Sequence, residues 1–385
     1  MVSIAILGSD PIAFFLVTHL IHHNYHPQHH PDNINKILFI TGHPSFSNSN
    51  IDLNNSKHLK IRTYDDYEIS VPRDEIDYTD NLKTLIEFNP DYVIITFKEN
   101  LIVEVLQKVV ELDGKTVIVT TNGYNAPELV REALPNTKVI EGIIMQSISS
   151  VENSINSEFI QEREGYIYLQ SSAETPSIHQ ILQQSVLTTY TCNNVKSLIY
   201  GKLFLSLAHP LIALSDQSLQ KLIQNKNWRK LLAFLMWEAL KVFNNNRIVP
   251  SVLSHLNLCN LELSTLNSSF PLYLTPYLLI TPNWILKPML NNFHDFLNVE
   301  SHPVLKMSDD FKNGRKTEIE DLQGEIIKLA NVNKSIKPKY NEGIYNLVKL
   351  VEKSMVDTQE GWKIAFTYEE VMAYIDHGEI SKVLF

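Results

Sequence analysis

Val2-Ser3-Ile4-Ala5-Ile6-Leu7-Gly8-Ser9-Asp10-Pro11-Ile12-Ala13 opens the chain, and its reading decides how the first half folds. Val2 to Leu7 is a short apolar run that ends at a glycine. An apolar, helix-like pattern follows from Ile12 to Ile21. Strand, glycine turn and helix form the first unit of a doubly wound α/β domain. A dinucleotide turn of this kind uses G-x-G-x-x-G or A, and its middle glycine lets the backbone approach a pyrophosphate. Gly8 and Ala13 keep the outer positions, but the middle one is Asp10. A carboxylate there can satisfy the orphan N–H groups of the helix itself, with Pro11 at the first helical position. The alternative is an altered turn that still meets a pyrophosphate.

Outward from this unit, strands are predicted at 36–40, 59–63, 92–97, 116–121 and 138–145. Helical patterns lie at 82–88 and 101–112. Alternating strands and helices with short connections predict a mostly parallel sheet. Gly165 to Gln170 reads as a late edge strand. The second strand runs into Thr41-Gly42-His43-Pro44, without the acidic residue that holds an NAD ribose or the arginine that meets an NADP phosphate. After Glu174 the pattern turns helical, at 178–187, 195–208, 218–243, 317–330 and 341–353. The expected fold class is α/β: a Rossmann-like doubly wound parallel sheet over 1–190, then an all-α domain over 191–356. Residues 247–300 read as an irregular insertion. Residues 357–385 form a tail with one helix at 368–375.

Composition narrows the function classes. The chain has 385 residues, 44% hydrophobic and 20% charged, which suits a folded protein with a sizeable core. Thirty-three basic against 43 acidic residues leave a net charge of -10, so nucleic-acid phosphate is repelled unless Lys and Arg concentrate locally. Two cysteines, Cys192 and Cys259, fit a reducing compartment. No apolar stretch reaches the ~18 residues of a membrane span, and residues 1–30 lack a basic signal-peptide start. Asparagine is abundant, whereas glycine is scarce, at 12 residues.

Other candidates are weaker taken singly. His19 and His23 share one face of the first helix amid a histidine-rich stretch, but no carboxylate or thiol joins them at ligand spacing, so no metal site is expected. Thr120-Thr121-Asn122-Gly123-Tyr124 follows a buried strand, either as a plain turn or as an amide presented to a ligand. Lys202 lies in a helical stretch, where a lysine is ordinarily solvated. Facing a cleft, it could act as a general acid toward a carbonyl oxygen.

In order along the chain, Ala5-Ile-Leu-Gly8, Ile94-Ile-Thr-Phe-Lys98, Thr121-Asn122-Gly123, Tyr200-Gly201-Lys202-Leu203, Pro210-Leu-Ile-Ala213-Leu214 and Gly314-Arg-Lys-Thr317-Glu318-Ile319 with Gly324 resemble the ketopantoate reductase family over roughly residues 1–353. The resemblance implies a Rossmann domain and a helical domain of the 6-phosphogluconate dehydrogenase C-terminal kind. It also implies NADPH-dependent reduction of 2-dehydropantoate. Carried over by position, Gly8, Lys98 and Asn122 are cofactor and cleft contacts, Lys202 the catalytic lysine, and Glu318 the substrate- or ribose-binding glutamate. The chain departs from the family at Asp10, at Ser206 and His209 where the family has asparagines, and at Lys306 where it has a serine. Met307 and Asp310 stay in place. Losing one donor that stabilises transition-state charge costs about 3–4 kcal/mol.

Several such losses predict a non-catalytic protein that takes no cofactor, with NADPH the cofactor if it is active. In size and degeneracy the chain is similar to the fungal cytochrome b translational activator. That likeness implies a mitochondrial location and protein partners, such as the mitochondrial ribosome or a messenger-associated complex. The alternative is a divergent reductase of pantothenate synthesis in the cytoplasm.

Overall fold

The computed structural model describes residues 2–24, 36–41, 56–121, 124–146, 148–151, 157–162, 164–251, 272–282, 306–333 and 336–378. The chain divides into two units, Met1–Lys196 and Ser197–Phe385.

In the first unit, β1 (Ser3–Leu7) is hydrogen-bonded in parallel to β2 (Lys36–Ile40) on one side and to β6 (Tyr92–Ile95) on the other. A strand flanked on both sides and covered on both faces has to be apolar throughout, and Ile4, Ala5, Ile6 and Leu7 are all fully buried. The strand's period of two sorts them: Ile4 and Ile6 join the core on one face, Ala5 and Leu7 the core on the other. With β3 (His58–Arg62), β4 (Glu68–Pro72), β5 (Tyr78–Thr79), β7 (Thr116–Val119), β8 (Lys138–Met145), β9 (Ile148–Ser150), β10 (Ser157–Gln161), β11 (Tyr166–Gln170) and β12 (Thr189–Cys192), the strands form two sheets. Eight strands run in the order β12-β11-β8-β7-β6-β1-β2-β5, and four in the order β4-β3-β10-β9. The large sheet is parallel at every pairing except β8 with β11. The expected α/β architecture with a parallel sheet and a following helical part is therefore present.

Two strand readings need correction. Tyr166–Gln170 is not an edge strand, because β12 pairs outside it. The segment at 58–62 leaves the main sheet and builds the smaller one, as a hairpin with β4 and in parallel with β10. The Asp65-Asp66 turn allows this, with Asp66 in the left-handed region at φ 62°.

The smaller sheet covers α1 (Pro11–Asn24), which is therefore apolar nearly all round: Ala13 through Ile21 are buried without exception. Phe14 bridges the two sheets, edge-on to Phe39 at 5.0 Å and stacked on Phe159 at 5.1 Å. The opposite face of the large sheet is covered by α2 (Lys83–Phe88), α3 (Ile102–Leu106) and α4 (Ala126–Ala133), while α5 (Thr175–Gln184) joins the α1 side.

The second unit is helical. It starts within α6 (Val195–Ser206) and continues with α7 (His209–Ser215), α8 (Leu219–Gln224), α9 (Lys226–Asn245), α10 (Thr275–Ile280), α11 (Lys306–Lys312), α12 (Gln323–Asn333), α13 (Lys339–Thr358) and α14 (Tyr368–His377). The single helix expected at 218–243 is two. Asn225 ends α8 and caps α9, its side chain accepting from the backbone N–H groups of Asn227 and Trp228. The run Val195–Ser215 is long and apolar enough by composition to cross a membrane, against the expectation that no apolar stretch reaches that length. In the fold 83% of its most apolar window is buried inside the protein.

Two carboxylate and guanidinium contacts tie the helices together. Glu238 on α9 accepts the backbone N–H groups of Tyr340 and Asn341, each at 3.0 Å, and so caps α13. Buried Arg229 donates to the carbonyls of Ile223, Leu279 and Thr281 and thereby anchors α10. The segments 252–271 and 283–305 of the expected irregular insertion lie outside the described residues.

Candidate functional site

The turn after β1 is built tightly. A Cβ on Gly8 would stand 2.0 Å from Thr96 Oγ1, so only glycine fits there. The Gly8 N–H donates to the carbonyl of Ile40 across the sheet at 3.1 Å. Asp10 Oδ1 accepts two hydrogen bonds, from the Ala13 N–H at 3.2 Å and from the Thr96 hydroxyl at 2.7 Å. The carboxylate therefore sits at the N-terminus of α1, in the place where backbone donors and helix dipole favour an anion. Pro11 begins the helix. A pyrophosphate approaching this turn meets a negative charge that has already taken one helix donor. The glycine fits a dinucleotide and the aspartate does not.

Lys98, at the end of the β6 segment, is half-buried and precedes a short 3-10 turn at Glu99–Leu101. Asn122 and Gly123 lie outside the described residues, so the amide expected at that strand end is not placed. His19 and His23 are both buried on α1. His19 donates through Nδ1–H to the Ser185 carbonyl, 3.2 Å away, and packs against Phe15. Burial pushes its pKa down to about 4, so it is a neutral core residue.

A second set of expected residues lies within the helical unit, where one pair of them, His209 and Glu318, is in contact. Lys202 is half-buried on α6, next to Gly201. A Cβ at Gly201 would overlap Ser251 O at 1.9 Å, so this glycine admits the 251 backbone, which bonds Ser197 O at 2.9 Å. Ser206, one turn on, donates its hydroxyl to Lys202 O at 3.0 Å. Ala208 keeps right-handed helical angles (φ -74°, ψ -25°), so the helical run carries on into α7. His209 then falls two turns from Lys202, on the same side of the run. Its Nδ1 is 3.7 Å from Glu318 Oε1, and both side chains are largely buried.

Glu318 is held in place from α13. Glu352 Oε1 accepts the Thr317 N–H at 2.8 Å and the Thr317 hydroxyl at 2.7 Å. Lys349 in turn pairs Glu352 at 2.8 Å and Glu320 at 3.1 Å. Gly314, at φ 65°, makes the left-handed turn that leads into this segment. Asp310 is buried and paired with Arg315 at 2.9 Å, and Met307 is fully buried. The His209–Glu318 contact and the Glu352 brace were not foreseen. The only signal for the first was a histidine in an otherwise apolar helix. The second joins residues 35 apart in sequence.

Residues 194–352 match the family model described as ketopantoate reductase PanE/ApbA C terminal, and residues 47–174 match that of ketopantoate reductase PanE/ApbA. The chain belongs to the ketopantoate reductase family. Solved structures of the same fold include a PanE/ApbA family ketopantoate reductase from Ralstonia eutropha JMP134, at 13% identity and TM-score 0.66, covering 92% of this chain and 99% of that one. A 2-dehydropantoate 2-reductase from Geobacter metallireducens GS-15 aligns at 15% identity and TM-score 0.62, covering 90% and 99%. D-mandelate dehydrogenase, solved with NADH and anilino(oxo)acetate, aligns at 17% identity and TM-score 0.64, covering 92% and 99%. No curated protein matches the sequence.

These neighbours correct one expectation. The sequence reading had the family member take no cofactor, whereas the fold is shared with ketopantoate reductases and with an NADH-bound dehydrogenase. The aspartate in the phosphate turn is thus a change within a fold that an NADH-bound dehydrogenase shares.

Proposed function

We propose that this ketopantoate reductase family member works as a binding protein rather than as an efficient reductase. One observation carries the reading: the Asp10 carboxylate accepts both the Ala13 N–H and the Thr96 hydroxyl, filling the anion position of the phosphate turn from within the chain. A nicotinamide nucleotide then has to bind against that charge and loses affinity. Lys202 and Glu318, read here as the residues that would meet a small carboxylate, both belong to the helical unit. On the same reading the chain acts in mitochondria through protein partners, as an activator of cytochrome b messenger translation. Its length, its asparagine-rich composition and the eroded phosphate turn support this role.

The test has two arms. Purified protein is titrated with NADPH and NADH while thermal stability and 2-dehydropantoate turnover are followed. Submillimolar to millimolar binding with negligible turnover is expected. Micromolar binding with turnover that disappears in Lys202→Ala overturns the reading. In cells, deletion is expected to abolish respiratory growth without creating a pantothenate requirement.

A second reading, a divergent NADPH-dependent 2-dehydropantoate 2-reductase, is favoured by Lys202 lying two helical turns from the His209–Glu318 contact. The same titration separates the two.

A further inference from the structure

Tyrosines gather at one corner of the first unit. β11 and β12 run in parallel with Tyr168 opposite Tyr190, and the two rings stack at 5.4 Å. Tyr166 lies two residues before Tyr168, on the same face of β11, 6.3 Å from it and 5.9 Å from Tyr190. Among the described residues β12 is the outermost strand of its sheet, and Tyr190 on it is 38% exposed. The smaller sheet brings up two more rings. β3 and β10 are parallel with Arg62 opposite Ile160, so the turn after β3 and the chain that leads from β10 into β11 leave that sheet at the same end. Tyr64 and Tyr67 in this turn are 49% and 57% exposed. Tyr64 stands near enough to act on the Tyr166 hydroxyl: burial first, then a hydrogen bond to Glu164, with Tyr190 and Tyr64 adding to it, push the Tyr166 pKa up to about 12.

The charge at this corner is mostly negative. Asp65 and Asp66 lie between the two tyrosines of the turn, and Glu164 bonds the Tyr166 hydroxyl. Asp65 accepts the Thr63 hydroxyl, which holds its carboxyl below the usual range and keeps it ionised. Of the cations on β3, Lys60 is paired with Glu68 at 2.9 Å, and Arg62 ends the strand. A tyrosine ring carries a negative face, on which a guanidinium stacks while its N–H fork pairs with a carboxylate. A nucleic acid meets the opposite balance: bases could stack on the rings, but the carboxylates repel the phosphates.

We propose that this corner, Tyr64, Tyr166 and Tyr190 with Asp65, Asp66 and Glu164, is the docking surface for an arginine-rich segment of a protein partner. The guanidinium planes lie on the tyrosine rings, and the carboxylates answer their N–H groups. The net charge of -10 on the whole chain adds long-range attraction for such a segment. The inference rests on the reading that the chain works by binding, and it names the chemistry of the partner. The nucleotide titration does not involve these side chains, so the two can fail separately.

The probe is a short fluorescein-labelled peptide of alternating Arg and Gly, followed by anisotropy on the full chain at physiological salt. Its Lys-for-Arg counterpart and a short single-stranded RNA are run beside it. Tyr64→Ser/Tyr190→Ser removes two exposed rings. Asp65→Asn/Asp66→Asn removes the charge, and asparagine accepts the left-handed φ of 62° at position 66. Glu360→Gln/Glu369→Gln removes two exposed carboxylates on the helical unit as a control. All six side chains are exposed, and thermal melts verify folding. Wild type is expected to bind the Arg peptide several-fold more tightly than the Lys peptide and to leave the RNA unbound. The tyrosine variant is expected to lose about ten-fold, the size of two cation–π contacts, and the aspartate variant several-fold, while the control keeps the wild-type affinity. An Arg peptide bound no better than the Lys peptide overturns the proposal. So does a loss in the control equal to that in the corner variants, RNA binding that the tyrosine variant weakens, or no binding of the Arg peptide. Where one corner variant does not fold, the other decides against the control.

Discussion

Glu352 accepts both the backbone N–H and the hydroxyl of Thr317, at 2.8 Å and 2.7 Å, and so fixes the residue immediately before Glu318. Both partners are buried. Glu352→Ala leaves two buried donors unpaired and removes one of the two carboxylates on Lys349, at a cost of about 2–4 kcal/mol. Chemical denaturation is the measurement. A change under about 0.5 kcal/mol would mean that the segment carrying Glu318 is held by other contacts.

The phosphate turn offers a gain-of-function prediction. Asp10→Gly removes the carboxylate from the start of α1 and restores the dinucleotide pattern. NADPH affinity is expected to rise at least ten-fold, while stability falls by about 1 kcal/mol through loss of the cap. Thr96→Val keeps the carboxylate but removes the 2.7 Å hydroxyl contact, and should improve nucleotide binding little. Fluorescence titration with NADPH reads both variants.

His19 predicts an acid-sensitive fold. The folded protein holds its imidazole neutral down to about pH 4 because the side chain is buried against Phe15. The unfolded chain takes up that proton below about pH 6.5, so in this window the unfolded state binds more protons and stability falls with pH. Between pH 7 and pH 5 the loss is about 2 kcal/mol. Comparing urea midpoints at the two pH values for wild type and His19→Gln isolates it, since the variant should lack that part of the slope.

Arg229 is buried on α9, its guanidinium donating to the carbonyls of Ile223 on α8 and of Leu279 and Thr281 at the end of α10. A lysine is a point charge and cannot reproduce that fork. Arg229→Lys is expected to cost about 2–3 kcal/mol and to expose residues 272–282 to protease before the rest of the chain unfolds. Thermal melting with limited proteolysis checks both parts.

Much of the fold was legible because the hydrophobic pattern has a physical period. Ile4 and Ile6 alternate with Ala5 and Leu7, and both pairs are buried because the strand is covered on two faces. The turn at Gly8 was legible because a glycine after a buried strand has few other meanings. What stayed hidden was pairing. A strand such as His58–Arg62 has the same local pattern in either sheet, and only its hydrogen bonds to β4 and β10 assign it to the smaller one. Likewise Tyr166–Gln170 reads as an edge until β12, 20 or so residues later, is laid beside it.

The sequence alone determined the family and the α/β-then-helical order, and it marked Asp10, Lys202 and Glu318 as the positions to watch. Those properties depend on residue type and local spacing, which a linear reading contains. Tertiary structure decided what the residues do to one another. Asp10 meets Thr96 across 86 positions, and His209 meets Glu318 across more than a hundred. Charge and hydrogen bonding act over a few ångströms of space, so a carboxylate becomes a cap, or a histidine the partner of a glutamate, only once the chain has folded around them.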